Sequence, residues 1–349
     1  MKIAIIGAGL AGLSCHQFLK QYVSDLEIYE AGSNIASAAS GNDIGAVNPR
    51  LSAFKTPESE FYSAAYSNAV RFFDRHGGAF DWHKCGALHL ITDEKKEKRY
   101  AQTLENWGWP QDYMRLLTVQ QASEVSGIDL QHKALHLSQS GFLNPKKLCA
   151  YYASGAKIKF GAKITSLKDI KADIIILACG QGLRSIKETK HLPLGAVRGQ
   201  ITHVDVTAKS SALRCNLHYG GYCTPALNGT HIIGASFQRW LDHSDIIEQD
   251  DQDNIDKLVA VAPNLCEGLQ VTGQKASVRT TSNDHFPVIG ALPGYDNVFI
   301  SAAHGSHGII SSFAGARLLA DMIMRQPLSL PRKTLQALSP QRFLKGLSG

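Results

Sequence analysis

The chain has 349 residues, 44% hydrophobic and 19% charged, a balance that excludes disorder over nearly all of its length. It is long enough for one large α/β domain with an inserted lobe or for two modest cores. The formal charge of +6 is a mild basic bias that alone indicates no nucleic-acid partner, and the seven cysteines, never in a CxxC pair, exclude a disulfide framework or a zinc site. They fit buried thiols of a reducing cytoplasm. The apolar N-terminus carries a glycine motif rather than a secretory signal, and no run reaches the length of a membrane span, so a soluble cytoplasmic protein with no membrane partner is expected.

An apolar strand, Met1 to Ile6, runs straight into Gly7-Ala8-Gly9-Leu10-Ala11-Gly12. A helix follows over Leu10 to Tyr22, with Ala11, Cys15, Phe18, Leu19 and Tyr22 on one face, then a strand over Asp25 to Glu30. Strand, GxGxxG, helix, strand and acid in this order are the fingerprint of a dinucleotide-binding βαβ unit. Gly7 permits the tight turn, Gly9 lets backbone amides approach a pyrophosphate, and Gly12 lets the helix lie close to the strand. The phosphates sit at the helix N-terminus, and Glu30 accepts hydrogen bonds from the ribose hydroxyls.

Further along, Ser59 to His76 reads as a helix whose Phe61, Ala65, Ala69, Phe72 and Phe73 face inward. Its Tyr62, Tyr66, Phe72 and Phe73 read as core, not as a base-stacking platform. Asn144-Pro145 caps a helix that Gly155 closes, and strands are expected over Ala156 to Leu167 and Ala172 to Ala178. From Ala196 to Phe237 the pattern changes to β-rich runs at Val197–Val206, Leu213–His218, Tyr222–Pro225 and His231–Ser236, an antiparallel sheet. A polar helix, Gln252 to Val261, stops at Pro263; a strand, Val298 to Ala302, leads through His304-Gly305-Ser306-His307-Gly308 into a helix over Ile309 to Met324. The expected division is a discontinuous cofactor domain (1–52, 141–195 and 271–349) with an inserted substrate domain (53–140 and 196–270).

The dinucleotide reads as FAD rather than NAD. Besides the first glycine motif, the strand ending in Leu177-Ala178-Cys179-Gly180 brings backbone close to the adenine-ribose end, and the Gly305 to Gly308 turn aims a helix N-terminus at a flavin ring. Three such sites spread along the whole chain suit an extended FAD; a nicotinamide cofactor needs only the first. His304 and His307 have metal-ligand spacing but no acidic or thiol ligand beside them, so no metal is expected.

These residues resemble a known family. GAGLAG at residues 7–12, Ala39-Ser40-Gly41-Asn42, LACG at 177–180 and HGSHG at 304–308 are similar to the D-amino-acid oxidase group of FAD enzymes, which includes glycine and sarcosine oxidases. The segments 40–52 (SGNDIGAVNPRLS), 140–145 (SGFLNP), 197–203 (VRGQITH), 221–226 (GYCTPA) and 233–236 (IGAS) resemble, more narrowly, the C-terminal oxidoreductase domain of bifunctional proteins that make 5-methylaminomethyl-2-thiouridine in tRNA. The resemblance implies an α/β fold of Rossmann-like, D-amino-acid-oxidase type with an inserted antiparallel-sheet domain. It implies FAD contacts at Gly7, Ala8, Gly9, Leu10, Ala11, Gly12, Glu30, Ala31, Ser40, Gly41, Ile164, Cys179, Gly180, Gly305, His307, Gly308 and Ile309. The chain departs from the family pattern at Asn48 and Arg50, where tyrosine and lysine flank the proline, and at His307, where arginine is usual.

For the reaction, the resemblance implies oxidative removal of the carboxymethyl group of 5-carboxymethylaminomethyl-(2-thio)uridine at the tRNA wobble position, leaving 5-aminomethyl-(2-thio)uridine and glyoxylate. Arg279 is the candidate handle for the substrate carboxylate, because a guanidinium binds carboxylate bidentately and stays charged when desolvated. Tyr222 is the candidate pocket-lining residue. The anticodon arm is the implied partner, with the target base turned out of its stack and Arg50, Lys146, Lys147 and the tail residues Arg325, Arg332, Lys333, Arg342 and Lys345 as candidate phosphate contacts. That family joins this domain to a methyltransferase, so a separate methyltransferase acting on the product is a further candidate partner. Oligomeric state and electron acceptor stay open. So do two other functions: an oxidase of a free small amine (glycine, sarcosine or a D-amino acid) and a non-catalytic tRNA-binding flavoprotein.

Overall fold

The structure, a computed structural model, describes residues 1–346, and the tail residue Lys345 lies outside the side chains described. A six-stranded sheet runs in the order Val288–Ala291, Val298–Ala302, Ile174–Leu177, Lys2–Ile6, Asp25–Tyr29 and Lys157–Lys159. Lys2–Ile6 lies between two parallel neighbours, Asp25–Tyr29 and Ile174–Leu177. Alternate residues of this strand feed opposite cores. Ile3 and Ile5 join the cluster built with the helices Leu10–Leu19 and Gly308–Ile323, while Ala4 and Ile6 join one built with Leu167, Ile170, Leu183 and Leu192. Burial on both faces is what a parallel strand requires. Gly12 has a packing role here, since a Cβ there would collide with the carbonyl of Gly7.

An eight-stranded sheet carries Val271–Ser282, Leu194–Asp205, Thr230–Gly234, Tyr222–Cys223, Asn216–His218, Ala87–Leu90, Ala134–Leu137 and Met114–Leu117 in that order. The runs expected to form an antiparallel sheet pair with one another in that direction, and Asn216–His218 adds a parallel pairing with Ala87–Leu90, which lies outside those runs. These two strands are joined by a long excursion rather than a hairpin, which permits that direction.

Two segments sit elsewhere than the expected division placed them. Val271–Ser282, placed with the cofactor segments, hydrogen-bonds along Leu194–Asp205 as an edge of the eight-stranded sheet. The helix Pro57–His76, placed in the inserted lobe, buries Phe61, Ala65, Ala69 and Phe73 against the helices that cover the six-stranded sheet. Its inner face is apolar and the first sheet's helices offer the matching apolar surface, so burial decides its side. Tyr62, Tyr66 and Phe73 are core residues, as expected. Among the described residues no helix is long and apolar enough to cross a membrane, and no cluster of His, Cys, Asp or Glu could hold a metal.

Candidate cofactor and substrate site

A cleft of about 540 Å³ opens where the parallel strands end, the position at which open α/β sheets bind ligands. Gly7, Gly9, Leu10, Ala11, Glu30, Ala31, Ser40, Ile164, Cys179, Gly180, Gly305, Gly308 and Arg279 all line it. Gly7 has φ +109°, and a Cβ there would lie 2.6 Å from the Ala178 carbonyl oxygen. Only glycine fits both constraints. The helix Leu10–Leu19 has no side-chain cap on Gly9, and its Leu10 amide donates to Ser40 Oγ at 2.9 Å. Glu30 accepts from the amides of Ala8 at 2.7 Å and Gly32 at 2.8 Å.

Five residues expected at the cofactor do not line the cleft. The Ala8 amide is turned to Glu30, and Gly12 lies behind Gly7. Gly41 packs on Lys275, whose Nζ would be 2.6 Å from a Cβ at 41 and donates to the Gly41 carbonyl. Ile309 sits on Gly45 and the adjoining core. The His307 ring lies against Tyr62, with centroids 5.3 Å apart.

At the opposite end from Glu30, Gly305 takes φ +56° and opens the helix Gly308–Ile323, which has no side-chain cap. His304 is fixed by Ser301 Oγ at 3.1 Å and Ser311 Oγ at 3.0 Å, and burial pushes it down to about 4, so it is neutral. An acid at one end, an uncapped helix N-terminus in the middle and a second helix N-terminus at the other end fit the ribose, pyrophosphate and ring of FAD along one cleft.

Arg279 lies on the strand Val271–Ser282 opposite Val197, with its guanidinium over Gly199. Among the described residues it has no carboxylate partner, and its side-chain nitrogens make no hydrogen bond. Burial lowers its pKa from the ordinary value, opposed by nearby Tyr222, yet a guanidinium keeps its charge at neutral pH. A half-buried cation on a cleft wall without a carboxylate partner is a site for an anion. Burial pushes the Tyr222 phenol up to about 12 against the pull of Arg279, so the phenol is neutral beside the charged guanidinium.

Sequence reasoning missed the histidines beside this pair. Tyr222, His218 and His89 are directly opposed on neighbouring strands, with near-parallel rings at centroid distances of 6.3 and 4.5 Å. Asn48 Nδ2 lies 2.7 Å from His218 Nε2. Burial, with neighbouring positive groups, holds His218 well below the usual range and takes His89 and His307 to about 4. A lone histidine inside an apolar strand, as in Leu88-His89-Leu90, was the available signal.

Three of the seven described residues of the proposed basic rim are neutralised. Lys146 pairs with Asp43 and Lys147 with Asp81, both at 2.8 Å, and Arg342 holds Asp284 at 2.7 and 3.1 Å. Arg50 is exposed, donates to the His285 carbonyl at 3.0 Å and lies 5.3 Å over the Tyr62 ring, without a carboxylate among the described residues. Arg325, Arg332 and Lys333 also have no such partner there.

An extended dinucleotide cleft ending at an unpaired guanidinium defines a flavin-dependent oxidoreductase. The chain belongs to the family described as FAD dependent oxidoreductase (DAO), which it matches over residues 2–322. FAD is its cofactor. It is 31% identical to the tRNA 5-methylaminomethyl-2-thiouridine biosynthesis bifunctional protein MnmC of Legionella pneumophila (strain Corby), covering 98% of this chain and 57% of that protein. MnmC of Methylobacillus flagellatus is 28% identical over 98% of the chain and 59% of the relative. The chain thus spans less than two thirds of these curated relatives. Its fold is similar to iminodiacetate oxidase (IdaA) from Chelativorans sp. BNC1, with TM-score 0.83, 19% identity and coverage of 97% and 99% of the two chains. Glycine oxidase from Geobacillus kaustophilus gives TM-score 0.83 and 19% identity, with 98% of each chain covered.

Proposed function

We propose that this chain oxidises the N-carboxymethyl group of 5-carboxymethylaminomethyl-(2-thio)uridine at the wobble position of tRNA, leaving 5-aminomethyl-(2-thio)uridine and releasing glyoxylate. The observation that carries this reading is the half-buried guanidinium of Arg279 at the cleft, without a carboxylate partner among the described residues, in a chain similar to MnmC. The substrate side chain ends in an N-substituted glycine, whose carboxylate suits a bidentate guanidinium.

Arg279 holds the carboxylate, and Gly199 leaves the space in which the guanidinium lies. Tyr222 lies near enough to Arg279 for their charges to interact and offers a neutral hydroxyl. The neutral histidines add no positive charge of their own to compete with Arg279 for the carboxylate. Bound FAD would supply the hydride acceptor for oxidation of the carbon between the amine nitrogen and the carboxylate, after which hydrolysis by water would release the amine and glyoxylate. Gly7, Gly9, Ser40, Glu30, Cys179, Gly180, Gly305 and Gly308 would hold it in the cleft. Holding the reacting carbon in place is the chief task left to the protein. The tRNA anticodon arm is the macromolecular partner, and a methyltransferase acts on the amine product.

The test is incubation of the purified holoprotein with tRNA from cells that accumulate the carboxymethylaminomethyl nucleoside, followed by nucleoside analysis and a glyoxylate assay. Glycine, sarcosine and D-alanine run in parallel. Conversion of the tRNA nucleoside with matching glyoxylate supports the reading. Turnover of the free amines alone assigns the chain to small-amine oxidation instead, and no turnover of any of them contradicts catalysis.

A further inference from the structure

A glycyl unit spans only about 2.5 Å from nitrogen to carboxyl carbon, so its contacts end near Arg279 and Tyr222. A row of polar side chains continues past them on the same sheet. Because Tyr222, His218 and His89 are opposed in register, all three stand on one face of the sheet and their rings form a row leading away from Arg279. The Tyr222 hydroxyl, His218 Nδ1 and the ring nitrogens of His307 make no hydrogen bond to protein, and none of them is sealed from solvent. His307 is close enough to His89, and His218 to His307, for their charges to interact.

The Asn48 amide, only 8% exposed, fixes which nitrogen of His218 carries the proton, whichever way the amide is turned. His218 Nδ1 is left without a protein partner. Asn48 Oδ1 and His89 Nε2 are sealed without partners, and each such atom costs about 1–3 kcal/mol. A wall with only a packing role would carry apolar side chains here.

We propose that His218, oriented by Asn48, and His307 form a subsite for a planar, hydrogen-bonding substituent on the substrate amine, and that this subsite sets a preference for N-substituted glycines over glycine. The identity of that substituent as a pyrimidine rests on the function proposed above; the subsite for a flat ring does not. His218 and Asn48 are specificity and positioning residues, while Arg279 keeps the carboxylate.

The holoprotein is assayed with glycine, N-(4-carbamoylbenzyl)glycine, free 5-carboxymethylaminomethyluridine and the modified tRNA. Binding is read independently from the perturbation of the flavin spectrum. Wild type is expected to show kcat/KM at least about tenfold higher for N-(4-carbamoylbenzyl)glycine, whose flat ring carries a hydrogen-bonding amide, than for glycine. His218→Phe, which preserves the ring stack, and Asn48→Ala each reduce that preference by about tenfold, mainly through KM, with FAD content and Tm retained. An unchanged ratio in both variants, or equal losses on glycine and N-(4-carbamoylbenzyl)glycine, overturns the subsite. A wild type that prefers N-(4-carbamoylbenzyl)glycine but ignores nucleoside and tRNA contradicts the proposed function and supports the subsite. Turnover of tRNA with a ratio that His218→Phe and Asn48→Ala leave untouched does the reverse.

Discussion

Gly199 lies directly beneath the guanidinium of Arg279: a Cβ at position 199 would sit 2.7 Å from both Cζ and Nη2. The strand Leu194–Asp205 therefore shapes the anion site by lacking a side chain. Gly199→Ala is expected to push the guanidinium aside and to lower kcat/KM on carboxylate substrates about 100-fold, the scale of an ångström-sized misplacement. FAD content and spectrum should stay as in wild type. Steady-state kinetics beside a flavin absorbance ratio makes the check.

Glu30 binds two amides, from Ala8 and Gly32, and thereby fixes the loop at the ribose end of the cleft. Glu30→Gln replaces a charged acceptor with a neutral one. Hydrogen bonds to charged groups contribute about 1.5–3 kcal/mol, so FAD should bind roughly 10- to 150-fold more weakly to the apoprotein in calorimetry.

Arg198 is fully buried and faces away from the cleft, donating to Asp250, to Gln238 at 2.6 Å and to Gln200 at 2.7 Å. It also donates to the Asp245 carbonyl, so it anchors the segment whose Asp242 and Ser244 line the cleft. Arg198→Met leaves Asp250 buried without its cation and should destabilise the fold by about 3–5 kcal/mol in urea denaturation.

Acid should weaken the folded protein through its histidines. His89, His304 and His307 are lowered to about 4 by burial, so the folded state holds them neutral at pH values where the unfolded chain is protonated. Their contribution is full above the unfolded value near 6.5 and is lost as pH falls toward about 4, at up to roughly 1.4 kcal/mol per pH unit for each group. Thermal melts from about pH 7.5 to about pH 5 should show Tm falling, and His89→Leu should reduce the fall.

The cofactor half of the site was legible because its determinants are local. Gly7 to Gly12 and Glu30 lie within one βαβ unit, and the strand Val298–Ala302 has the bounds its pattern indicated. The substrate half is assembled by register between distant strands. Ala87–Leu90 and Ala134–Leu137 share the sequence ALHL and pair with each other, yet four residues are too few for a periodic signal. His89 meets His218 only through that sheet, and Asn48 reaches it from a loop. Arg279 and Tyr222 were visible through family resemblance, whereas nothing local distinguished Lys146 or Lys147 from free phosphate ligands before Asp43 and Asp81 were placed beside them.

The central claim, that Arg279 presents a glycyl carboxylate to the flavin, is tested most directly by anaerobic mixing of holoprotein with the modified tRNA while flavin absorbance is followed. Wild type should bleach and Arg279→Leu should not, or should do so at least about 100-fold more slowly, with equal FAD content in both. Bleaching of Arg279→Leu at the wild-type rate would contradict the account.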